Sequence, residues 1–123
     1  MTRIALLSIS VLDLIMQTAA GASLNERLAA PELVAPQCAR PAPIVNEAPR
    51  YFVGYEATIK RGYPLRIEAT RLMKLYGFTL EGRSPYDHSI FLTEISPTNL
   101  ANLRCAKSVM SIRYLIPVYL NAA

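Results

Sequence analysis

The sequence predicts an α+β domain of β-α-β-β-α-β order spanning residues 50–123, behind an export signal at 1–22 and a proline-rich linker at 23–49. Three observations carry that expectation. Residues 51–58 and 88–95 are rich in the aromatic and β-branched side chains that fit a pleated sheet. Leu65, Ala69, Leu72, Met73 and Tyr76 recur at three- and four-residue steps, which gathers them on one helical face. Ser96-Pro97 opens a second periodic stretch with a capping hydroxyl and a proline, the ordinary start of a helix.

Taken in order, Tyr51 to Thr58 is the first strand and Arg61-Gly62 a turn. Pro64 suits the first turn of a helix, where its missing N–H goes unused, and Gly77 suits the stop, where a left-handed residue is needed. Glu68 and Arg71 fall off the apolar stripe and are expected on the solvent side. Phe78 to Arg83 is the second strand, Ser84-Pro85-Tyr86-Asp87 a turn, and His88 to Ile95 the third strand. Leu100, Leu103 and Ala106 form the buried stripe of the second helix, flanked by Ala101 and Cys105. Val109 to Tyr114 is the fourth strand, followed by a tail that contains Pro117.

This order is that of the ferredoxin-like sandwich, a four-stranded antiparallel sheet with two helices on one face, because right-handed crossovers bring both helices to the same side. The opposite face is expected to be open. Both sets of alternating side chains are apolar: Phe91, Thr93 and Ile95 on one face of the third strand, Ile90 and Leu92 on the other. A surplus of apolar groups on an open face suggests a partner surface, and scattered exposure of apolar side chains is the other reading.

The N-terminal stretch has Arg3, an apolar run from Ile4 to Met16 and the small residues Ala20-Gly21-Ala22, the pattern of a signal peptide with Ser23 as the new N-terminus. The run is too short to span a bilayer, so no stable membrane anchor is expected after cleavage. Asp13 interrupts the run, and an uncleaved N-terminal helix is the alternative. Pro31, Pro36, Pro41, Pro43 and Pro49 favour extended, poorly packed chain through the linker. A short helix over 23–30, capped by Ser23, fits the sequence as well. Secretion or a periplasmic location tolerates a disulfide, and Cys38 and Cys105 permit one. Spacing alone fixes no geometry, so two separate thiols stay open.

Composition is that of a globular chain, 52% hydrophobic and 18% charged, with a net charge of +4. The cations are scattered, which reads as a solvated surface rather than a nucleic-acid footprint. Tyr51, Phe52 and Phe91 could stack bases on an open sheet, but the glycine-aromatic pattern of the RNA-recognition third strand is missing from His88 to Ile95. No nucleic-acid partner is expected. His88 is the one histidine; Ser84, Asp87 and Ser89 are near it in sequence, but alternation turns strand neighbours apart, so it reads as a turn or strand-edge residue. No carboxylate pair, phosphate loop or metal spacing occurs, so no enzyme activity, cofactor or metal is expected.

From Tyr51 to Tyr114 the chain resembles the inhibitor I9 family, the propeptide domains of subtilisin-like serine proteases. Tyr51-Phe52-Val53-Gly54-Tyr55 resembles that family's first strand, and Leu72-Met73-Lys74-Leu75-Tyr76-Gly77 the end of its first helix. Phe91 to Ser96 with Leu100-Ala101-Asn102-Leu103-Arg104 resembles its third strand and second helix, and Val109 and Ile112 match the apolar pair of its last strand. The resemblance implies a domain that helps a subtilisin-like protease fold and inhibits it, its open sheet face on the enzyme and its tail in the substrate cleft. It implies Ile90 and Leu92 at the sheet contact and Leu120, Asn121, Ala122 and Ala123 in the cleft, acting in trans. The family usually carries an acid after the last apolar residue of the fourth strand, where this chain has Arg113. A cation there would repel the positive end of an enzyme helix. The second expectation is a non-catalytic interaction module of the envelope or periplasm.

Overall fold

A computed structural model describes residues 29–117. The signal at 1–22, all but the last two residues of the short helix expected over 23–30, and the residues Leu120, Asn121, Ala122 and Ala123 lie outside the described residues; Ala29 and Ala30 are not helical. Within them the elements are β1 (Gly54–Ile59), α1 (Leu65–Tyr76), β2 (Thr79–Ser84), β3 (Ser89–Thr93), α2 (Pro97–Leu103) and β4 (Val109–Leu115). The sheet order is β2-β3-β1-β4 and every neighbouring pair is antiparallel, the ferredoxin-like arrangement.

The punctuation acts as expected. Gly77 takes the left-handed conformation (φ 62°) and donates its N–H to the Met73 carbonyl, closing α1. Ser96 Oγ accepts from the Asn99 N–H at 3.1 Å with Pro97 opening α2. Pro64 sits just before α1 as its cap residue in extended conformation, one place earlier than a first-turn proline. Ala69 and Leu72 from α1 and Leu100 and Leu103 from α2 are buried with Tyr55, Ala57, Ile59, Ile90, Leu92, Ile112 and Tyr114 from the sheet. Both helices therefore cover one face.

Glu68 is a correction to the helix reading. It is buried rather than solvent-facing, and it stays ionisable because Arg71 donates to both its oxygens. That paired hydrogen bond holds its carboxyl below the usual carboxylate range despite burial. At the opposite end of the core Phe52 packs edge-on against Tyr55 and Tyr114, whose ring centres lie 5.4 Å apart. Burial raises the pKa of both tyrosine hydroxyls, since the phenolate would be stranded away from water.

The proline-rich stretch is packed where the sequence suggested loose chain. Ile44 forms a parallel bridge with Ile112: the Ile112 N–H donates to Pro43 O, and the Val45 N–H donates to Ile112 O, each at 2.9 Å. Pro43 supplies only a carbonyl here, so its missing N–H removes no sheet bond, the condition under which an edge tolerates proline. Ala42 is buried and exchanges bonds with Arg104: its N–H donates to Arg104 O, and Arg104 Nε donates to Ala42 O. Residues 42–46 thus form a strap along the outer edge of β4. An exposed strand edge is a template for unwanted pairing, and the strap covers this one.

Candidate protein-binding face

The sheet face away from the helices is built by the residues that alternate with the core set. Glu56 stands between Phe91 of β3 and Arg113 of β4, and Thr58 between Ser89 and Ser111. Direct cross-strand partners share a face, so these six residues form two adjoining rows. Ser89 Oγ donates to Glu56 Oε2 at 2.5 Å, and Thr93 Oγ1 donates to Glu81 Oε1 at 2.8 Å. Phe91 is half-buried and lies over Gly82, its cross-strand neighbour, where a side chain would meet the ring at 3.7 Å. Arg113 is exposed. The face is therefore a hydrogen-bonding surface with one aromatic ring, one exposed guanidinium and two carboxylates.

Ile90 and Leu92 are not part of it, which corrects the expected sheet contact. Both are fully buried under the helices. Their register decides this: Leu92 faces Tyr55 and Ile90 faces Ala57, residues of the core side. Alternation along β3 was legible, but which set points inward was not, because Phe91, Thr93 and Ile95 looked equally apolar. The parity also breaks after the strand. Glu94 takes a left-handed conformation (φ 54°), and Ile95 consequently turns back into the core.

Of the other residues singled out, Cys38 and Cys105 are joined, with Cα atoms 5.8 Å apart and a separation of 67 residues. The bond fastens the chain just before the strap to the turn that follows α2. His88 sits at φ 53° on the β2–β3 turn, and its Nε2 lies 2.9 Å from the Tyr63 carbonyl, so that nitrogen carries the proton. Ser84 Oγ instead donates to Asp87 Oδ2 and accepts the Asp87 N–H. The histidine therefore latches the β2–β3 turn to the β1–α1 loop, helped by Arg61 donating to Tyr86 O. Among the described residues no three His, Cys, Asp or Glu side chains are grouped to hold a metal ion. No helix among them is long and apolar enough to cross a membrane.

Topology and bonding define the class: a disulfide-tied ferredoxin-like α+β sandwich with one helix-free, hydrogen-bonding sheet face. Comparison with family models, with curated proteins and with solved structures finds no match to the chain.

Proposed function

We propose that this chain is a non-catalytic protein-binding domain of an oxidising, secreted or periplasmic compartment, and that its partner is a subtilisin-like serine protease which it inhibits or helps to fold. The observation that carries the reading is the helix-free face itself, with β4 running along it and out through Leu115 to the tail. A partner seated on that face would meet Phe91 at its centre and Glu56 and Arg113 beside it. A tail that pairs as a strand on binding suits a substrate cleft, because a strand can add backbone hydrogen bonds to an enzyme's edge. The Cys38–Cys105 bond supports an oxidising location.

Arg113 bears on the choice of partner. Glu56 is its cross-strand neighbour, so an anion stands one strand away from the position where the resembled family carries its acid. The test is to mix the protein beginning at Ser23 with a panel of subtilisin-type enzymes, reading both inhibition and refolding yield. A version ending at Pro117 and an Arg113→Glu version run in parallel. Inhibition or assisted refolding that is lost on truncation supports the reading. Neither effect at micromolar protein rejects it.

The polar character of the face favours a second reading, an interaction module that serves a partner other than a protease. It predicts a stable complex with a non-protease protein, weakened by Phe91→Ala or Arg113→Glu. Recovery of proteases alone would dismiss it.

A further inference from the structure

The strap does more than cover an edge, because it also forms one wall of a cleft. Arg40, Pro41, Ala42 and Pro43 stand on one side, Lys60 and Tyr63 of the β1–α1 loop on another. Cys105 to Lys107, Val109 and Met110 complete a space of about 510 Å³. That is within the range of small-molecule sites, roughly 300–1,000 Å³.

Its charge is one-sided. Arg40, Lys60 and Lys107 line it and no acidic residue does. The sequence has three lysines, so two of them meet here. Among the described residues the one ion pair is Arg71 with Glu68, which leaves the three cleft cations without an acidic partner there. Pro41, Pro43, Ala106, Val109, Met110 and Tyr63 add apolar groups to the lining. Three cations held near one another repel, and a bound anion relieves that repulsion.

We infer that this cleft binds a small organic anion with a multiply charged oxyanion head and a ring-sized apolar body, of which an aryl phosphate monoester is the type. The phosphate sits among Arg40, Lys60 and Lys107, and the body lies against Tyr63 and Val109. The proposal stands on the cleft alone and is independent of the open sheet face and its partner. Because Cys38 fastens the wall to Cys105, the site is complete only in the oxidised protein.

The test is a titration of the oxidised protein with phenyl phosphate, inorganic pyrophosphate and, as a neutral control, phenol, followed by backbone amide shifts. Saturable shifts confined to residues 40–43, 60–63 and 105–110 are expected, with phenyl phosphate the tightest and phenol silent. Lys60→Ala and Lys107→Ala should each weaken binding by about tenfold, the scale of one lost charge-assisted contact. Lys74→Ala, on exposed α1, should leave it unchanged. Reduction of the disulfide should abolish the shifts, and the lysine variants decide the matter if reduction unfolds the chain. No saturation at millimolar ligand, or equal weakening by Lys74→Ala, overturns the assignment.

Discussion

The Asn46 carboxamide clamps the peptide of Tyr114: Nδ2 donates to the Tyr114 carbonyl at 3.0 Å, and the Tyr114 N–H donates to Oδ1 at 2.7 Å. A side-chain amide here continues the backbone pairing that Pro43 and Val45 make with Ile112. It ends the strap where β4 begins to leave the sheet. Asn46→Ala removes both partners of a part-buried peptide group, and a loss of about 1–3 kcal/mol is expected. Urea unfolding measures the loss, and faster hydrogen exchange at Val45, Ile112 and Tyr114 locates it.

The strap's other end is covalent. A bond closing a loop of 67 residues removes enough freedom from the unfolded chain to contribute about 4 kcal/mol in the chain-entropy model. Cys38→Ser with Cys105→Ser should lower stability on that scale. Exchange protection should fall first at Ala42 and Val45, while β1 and β3 keep theirs. Uniform loss across the sheet would mean that the strap and the sandwich unfold as one unit.

Gly54 opens β1 against the end of β3. A side chain there would place its Cβ 2.5 Å from the Leu92 carbonyl oxygen and 2.9 Å from Thr93 Cγ2. Backbone cannot yield as a flexible side chain does, so Gly54→Ala should destabilise by about 1–3 kcal/mol as overpacking. Thermal unfolding of this variant beside Gly82→Ala, where only the Phe91 ring is near, separates the clash from a general glycine effect.

Binding variants should be drawn from the outer face. Leu92→Ala leaves a void under both helices and should cost about 2–5 kcal/mol of stability, as core truncations do. Arg113→Glu, on the exposed side, sets a second carboxylate opposite Glu56 and should cost only about 0.2–1 kcal/mol, well below the Leu92→Ala loss, while altering partner affinity. If Arg113→Glu unfolds the protein while Leu92→Ala does not, the assignment of faces is wrong.

Glu68 sets part of the acid response. Its folded pKa lies below the unfolded value, mainly through the Arg71 hydrogen bonds. A depressed folded pKa contributes stability that is present above the unfolded pKa, near 4.5, and lost as pH falls through the folded one. Glu68→Gln should therefore flatten the dependence of stability on pH below that value. A variant whose acid limb keeps the original slope would place the response on other carboxylates.

Element order, the stop of α1, the start of α2 and the turn at 84–87 were set by local chemistry, whereas α2 ends at Leu103, short of the expected stripe residue Ala106. Gly77, Ser96 and Pro97 act through their own backbones and immediate neighbours, so the sequence by itself determined them. The sheet's facing needed tertiary structure. Ile90 and Phe91 are both apolar, and only the register against Tyr55 and Ala57 decided which side the helices cover. The strap was hidden for a similar reason. Ile44-Val45 between prolines was its one local trace, but a parallel bridge to Ile112 and a bond from Cys38 to Cys105 join residues more than sixty positions apart. Contacts at that range depend on where the whole sandwich brings two segments, which no window of sequence encodes.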